Sequence, residues 1–158
     1  MREDETKEER LDRNLIELLN ELRVVLPGVQ VLFAFLLVAP FNSRFAETTA
    51  FERYVYLGTL LATALSAILL MAPSAHHRIR FRDRDKEFIV VMGNRLAVLG
   101  LISIATAMCG VVLLVTTVVF EPPISVACTA GVAVAFLGLW FLIPALREFR
   151  KRPDSDAS

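Results

Sequence analysis

Leu11, Leu15, Leu18, Leu22 and Val25 recur at steps of four and three, the apolar stripe of an amphipathic helix. Glu8, Glu9, Asp12, Arg13, Glu17 and Glu21 occupy much of the remaining surface. The stripe leads into a different pattern, runs that are apolar on every side. The runs are centred on 24–41, 54–73, 96–120 and 124–146. A bilayer's hydrocarbon core is about 30 Å thick and takes about 20 apolar helical residues to cross. The pattern therefore predicts an all-α integral membrane protein. Four transmembrane helices form two hairpins, preceded by an amphipathic N-terminal helix. Residues 1–8 are expected to fray, residues 9–150 to form one membrane domain, and 151–158 to be a polar tail.

Local chemistry refines each run. Pro27 lacks a backbone donor, so a kink or break is expected there, with Gly28 adding freedom. Gln30 is the one strongly polar side chain of the first run and is expected to face another helix. Pro40 and Asn42-Ser43 end that run, and Phe41, Phe45, Phe51, Tyr54 and Tyr56 mark a membrane–water boundary. Gly58, Ala62 and Ser66 make a small-residue stripe in the second run, and Ala127, Gly131 and Ala135 make one in the fourth. Such stripes allow helices to approach closely. Phe88 to Phe120 is too long for the hydrocarbon alone, so residues 86–95, interrupted by Asn94-Arg95, are expected to extend the third helix into the interface. Glu121-Pro122-Pro123 breaks the chain before the fourth run, and Pro144 is expected to bend its end.

Charge decides orientation. The 17 bases and 17 acids cancel, which with the absence of a basic, aromatic-interleaved helix argues against nucleic-acid binding. Counted by segment, 14 Lys and Arg fall on the N-terminus, the central stretch His76–Lys86 and the tail, against two in the 42–53 link. The positive-inside rule makes the richer side cytoplasmic, with both termini there. The acidic N-terminus, with no short apolar segment and cleavage site behind it, does not resemble a signal peptide. Cys109 and Cys128 differ in depth by about 10 Å, beyond the reach of a disulfide, and are read as free, buried thiols.

The block ELLNELRVVLPGVQVLFAFLLVAPFNSRF at 17–45 resembles a family of small actinobacterial membrane proteins known only as a domain of unknown function. The likeness rests on Glu21-Leu22-Arg23, Pro27-Gly28, Gln30, Leu32–Leu37, Pro40-Phe41 and Arg44-Phe45. It continues through Ala72-Pro73, His77-Arg78, Asn94-Arg95 and Ala97, over most of 11–150. It implies four spans in a bacterial cytoplasmic membrane and brings no activity, substrate or cofactor.

The chain carries no nucleophile elbow, GxGxxG, phosphate-binding loop or HExxH. His76-His77 with Asp83, Asp85 and Glu87 matches no metal-ligand spacing. No ionisable group lies deep in a span, where transporters usually keep one. The reading is a noncatalytic accessory, scaffold or interaction protein, with no cofactor or metal. Its partners are the bilayer and either a second copy or another membrane protein. A small oligomeric transporter or channel is the alternative. The sharpest residue-level expectation is an ion pair between Glu21 and Arg95 beside Asn94, with Glu17 as a competing partner.

Overall fold

The computed structural model describes residues 6–79 and 86–142. The elements over these residues are all helical: α1 (Lys7–Val38), two short 3-10 turns (Ala39–Phe41 and Ser43–Glu47), α2 (Ala50–Ile79), α3 (Lys86–Val119) and α4 (Pro122–Leu137), which ends in a π-helical turn (Gly138–Leu142). Four helices are long and apolar enough to cross a membrane. The chain is an all-α, multi-pass membrane protein.

The ends of α1 and α2 follow from local hydrogen bonding. The Thr6 hydroxyl accepts from the Glu9 N–H at 3.3 Å, and the Glu9 carboxylate accepts from the Thr6 N–H at 2.9 Å. Thr49 and Glu52 repeat this reciprocal cap before α2, at 3.3 and 2.7 Å. Each satisfies two amides that would otherwise lack partners. Helix α1 thus starts two residues before the periodicity suggests, and Thr6–Glu8 are its cap and first turn. Pro122 and Pro123 start α4, where a missing N–H costs nothing.

The break expected at Pro27 does not occur. Helix α1 runs through Pro27, so the amphipathic segment and the first span are one element of 32 residues. Helix α2 runs through Pro73 to Ile79. The reason at Pro73 is tertiary: the proline is fully buried, and its ring lies against Gly93 of α3, which has no side chain to obstruct it. Pro40, in contrast, does end α1. It has no N–H for the Leu36 carbonyl, and the Tyr56 hydroxyl of α2 donates to that carbonyl instead at 2.9 Å. Phe45 packs edge-on against the same Tyr56 ring at 5.1 Å, tying the turn to α2.

The chain forms two compact units, Met1–Ala107 and Met108–Ser158. In the first, each helix carries a seam whose residues alternate at steps of three and four, the 3.5-residue period of left-handed helix packing. On α1 the seam is Leu15, Leu18, Leu22, Val25, Val29, Leu32 and Leu36, all buried or half-buried. On α2 it is Thr59, Thr63, Ser66, Leu70 and Pro73, and on α3 Gly93, Ala97, Gly100, Ile104 and Ala107, all buried. Leu18, Leu22, Val29, Leu70, Ala97, Ile104 and Ala107 form one apolar cluster.

Large residues on one seam enter the gaps of another. A Cβ added to Gly93 would stand 3.0 Å from Leu18 Cδ2, and one on Gly100 would stand 2.7 Å from Leu70 Cγ and Cδ2. Leu18, Pro73 and Gly93 meet at one level. The start of α1, the end of α2 and the start of α3 therefore lie at the same end of this unit. Helices α1, α2 and α3, with 32, 30 and 34 residues, are each about 45–50 Å long. All three exceed the hydrocarbon thickness by about 15 Å or more.

The second unit looks different. Only Ser125 of α4 is buried, while Val126, Val134 and Leu137 are exposed. Phe136 and Trp140 pack edge-on at 4.9 Å where the α-helix passes into the π turn. Pro144 and the 151–158 tail lie outside the described residues, as do residues 80–85 of the basic stretch.

Candidate functional site

The polar side chains buried in the first unit are hydroxyls, and each is used locally. Thr59 donates to the Val55 carbonyl at 2.7 Å and Thr63 to the Thr59 carbonyl at 2.8 Å, both within α2. Ser66 donates across to the Gly100 carbonyl at 2.8 Å, and Ser103 returns a bond from α3 to the Ala62 carbonyl at 2.9 Å. These two bonds cross between α2 and α3. No buried side-chain nitrogen or oxygen among the described residues lacks a partner. Thr106, Thr116 and Thr117 likewise donate to carbonyls of their own helix. The buried hydroxyls act as fasteners between and along helices, with no buried one among the described residues left over to line a polar path.

Two surface grooves carry charge. One of about 360 Å³ lies between α1 and α3 and is lined by Asn14, Leu18, Val90, Val91, Asn94 and Arg95. The other, of about 550 Å³, is lined by Thr48, Ala50, Arg53, Tyr54 and Leu57. Their arginines are held differently. Arg53 donates from Nη2 to the Ala46 carbonyl at 3.3 Å and from Nε to Thr48 Oγ1 at 3.4 Å, so it braces the turn before α2. Arg95 is exposed and makes no ion pair with any described carboxylate.

The expected pair of Glu21 and Arg95 is therefore not formed. Residue counting places them at similar depth, which the Leu18–Gly93 contact supports, but both side chains are exposed and the groove sets Arg95 beside Asn14 and Leu18. Glu17, the competing partner, faces Arg13 at 3.7 Å along α1. Asn94 does line the groove with Arg95. Gln30 is exposed, one step around the helix from the buried Val29, so it does not face another helix of this unit. Pro27 is exposed too.

Gly28, Gly58 and Gly131 have nothing within 4 Å of an added Cβ, so none of the three marks a close contact within the chain. In the stripe at 58–66, Ala62 and Ser66 do reach α3, through their bonds with Ser103 and Gly100, while Gly58 does not. Ala127, Gly131 and Ala135 are all exposed. The glycines that matter are Gly93 and Gly100, which small residues at a 3.5-residue period on α3 could have revealed. The capping pairs also had a sequence signal, Thr-x-x-Glu at 6–9 and 49–52.

The cysteines are free, but Cys109 is half-buried and Cys128 exposed, so the fourth helix does not cover its thiol as expected. Among the described residues no group of three or more His, Cys, Asp or Glu could hold a metal ion. The side chains of His76 and His77 lie outside that description.

The model of a family of unknown function, DUF6328, matches residues 4–144, and the chain belongs to that family. No curated protein and no solved structure matches the chain.

Proposed function

We propose that this DUF6328 member is a noncatalytic accessory or scaffold protein of the bacterial cytoplasmic membrane, with both termini in the cytoplasm. The observation that carries this reading is the use of the buried hydroxyls: Thr59, Thr63, Ser66 and Ser103 all bond helix carbonyls. A conduction path needs polar groups free to replace an ion's hydration shell. Orientation draws on the excess of Lys and Arg in the N-terminus, central stretch and tail. The common level of Leu18, Pro73 and Gly93 is in keeping with it, since it brings the start of α1, the end of α2 and the start of α3 to one end. The expected partner is another membrane protein or a second copy, taken up on apolar surface such as Val126, Val134 and Leu137 of α4.

The test is purification from native membrane in mild detergent, followed by reconstitution. A partner at fixed stoichiometry, with no ion flux through liposomes holding the chain alone, is the expected result. Sustained flux through those liposomes would overturn the reading in favour of transport.

A further inference from the structure

The groove between α1 and α3 has the composition of a site for an anionic headgroup. Among its described lining residues the formal charge is that of Arg95, and this guanidinium is neither neutralised by a described carboxylate nor braced by a described carbonyl. Asn14 and Asn94 flank it with two amides, each offering both a donor and an acceptor. Leu18, Val90 and Val91 complete the lining with apolar surface. A cation without a counter-charge among the described residues, neutral hydrogen-bonding groups and an apolar wall in one groove match a molecule that is anionic at one end and greasy at the other.

Depth supports the same occupant. Arg95 stands 24 residues before the end of α3 at Val119, about 36 Å along the axis. A hydrocarbon core of about 30 Å counted back from Val119 therefore ends near Leu99, and Arg95, about one turn further out, lies in the headgroup layer. Helix α3 is apolar from Leu96 inward, so acyl chains can follow its surface while the headgroup stays in the groove. Of the two groove arginines, Arg53 spends its donors on Thr48 and Ala46, and Arg95 is the one left available.

We propose that this groove binds the phosphodiester of an anionic glycerophospholipid. Arg95 pairs with the phosphate, Asn14 and Asn94 bond the phosphate oxygens or headgroup hydroxyls, and Leu18, Val90 and Val91 border the first acyl methylenes. A guanidinium presents parallel N–H donors that suit two phosphate oxygens, which one amide cannot replace. This inference stands apart from the scaffold reading, since either a scaffold or a transporter could hold such a lipid.

The test is native mass spectrometry of the full chain taken from bilayers of phosphatidylglycerol and phosphatidylcholine. Two variants accompany the wild type: Arg95→Gln, which removes the charge, and Val91→Trp, which fills the groove at an exposed position and keeps the charge. Thermal unfolding in detergent checks that both remain folded. Wild type should retain phosphatidylglycerol in preference to phosphatidylcholine, and each variant should lose about tenfold of that retention, the effect of one charge-assisted contact. Millimolar inorganic phosphate should not displace the lipid. Equal retention by wild type and either folded variant would overturn the proposal, as would displacement by inorganic phosphate, which would make the site one for a soluble anion.

Discussion

Residues 6–107 and residues 108–142 are both strongly apolar, yet they use apolarity in different ways. In the first region three helices present seams with a 3.5-residue period, and the seams differ in size. Helix α1 contributes leucines and valines, α2 hydroxyls with Leu70 and Pro73, and α3 glycines and alanines around Ile104. In the second, α4 buries Ser125 alone, and its small residues at 127, 131 and 135 are exposed. Lipid tails are as apolar as leucine, so hydrophobicity does not drive one membrane helix onto another. What distinguishes the two regions is shape, a large residue on one helix opposite a gap on the next, with hydroxyl bonds crossing where the backbones are close.

The sharpest way to break this comparison is Gly100→Leu. Leu70 is fully buried, and even a Cβ at position 100 would stand 2.7 Å from its Cγ and 3.4 Å from Leu69 Cβ. Leu70 has no free space to withdraw into. Overpacking a core costs about 1–3 kcal/mol, occasionally more. Gly100→Leu should reach the upper end of that range in thermal unfolding, with Gly100→Ala below it. Pairing Gly100→Ala with Leu70→Ala should recover part of the loss, because the new methyl group then enters the space Leu70 vacates. Additive losses in that cycle would place the strain elsewhere.

What the sequence made legible follows the same division. Four apolar runs and the helical class are readable because length and hydropathy alone decide them. Which face of a helix meets a neighbour was readable only on α1, where Leu11, Leu15, Leu18, Leu22 and Val25 stand out against charged residues. Inside the bilayer that contrast disappears, since lipid-facing Phe35 and Val38 are as apolar as seam-facing Val29 and Leu36. Gly58 and Gly131 resemble contact glycines for this reason, though the contacts are at Gly93 and Gly100. Prolines mislead in the same manner. Pro40 stops a helix and Pro73 does not, and the difference lies in what each meets across the fold, a Tyr56 hydroxyl in one case and the bare backbone of Gly93 in the other. Arg95 and Asn94 were recognisable as interfacial, but the partner expected for Arg95 was wrong, because equal depth does not bring two side chains onto facing surfaces.

A smaller effect tests how the first region closes at its other end. The Tyr56 hydroxyl supplies the hydrogen bond that Pro40 cannot give to the Leu36 carbonyl. Tyr56→Phe keeps the ring and its edge contact with Phe45 but leaves that carbonyl without its donor. An unsatisfied buried acceptor costs about 1–3 kcal/mol, and Tyr56 is only half-buried, so a loss of about 1 kcal/mol is expected in thermal unfolding. Restoring a donor by Pro40→Ala in the Tyr56→Phe background should return part of it, since an alanine there could continue the helix and bond the Leu36 carbonyl directly. If Pro40→Ala gave no recovery, the loss on Tyr56→Phe would not come from the Leu36 carbonyl's missing donor.

The smallest expected effect is the most informative about the second region. Gly131 has nothing within 4 Å of an added Cβ, and Ala127 and Ala135 on the same stripe are exposed. Gly131→Leu therefore adds a side chain to open surface. A leucine also has the better helix propensity, by under about 1 kcal/mol. Thermal stability of the isolated chain in detergent should be unchanged or slightly raised, within about 0.5 kcal/mol, in contrast to the loss at Gly100. The same substitution separates two uses of the stripe. If a second helix from another chain lies close against it in the native membrane, Gly131→Leu will leave the monomer stable and abolish the complex, because a backbone contact made through glycine and alanine has no room for a leucine. If the stripe faces only lipid, complex and monomer will both survive. A destabilised monomer is the outcome that contradicts the structure, since it would require a close neighbour at Gly131 within the chain itself.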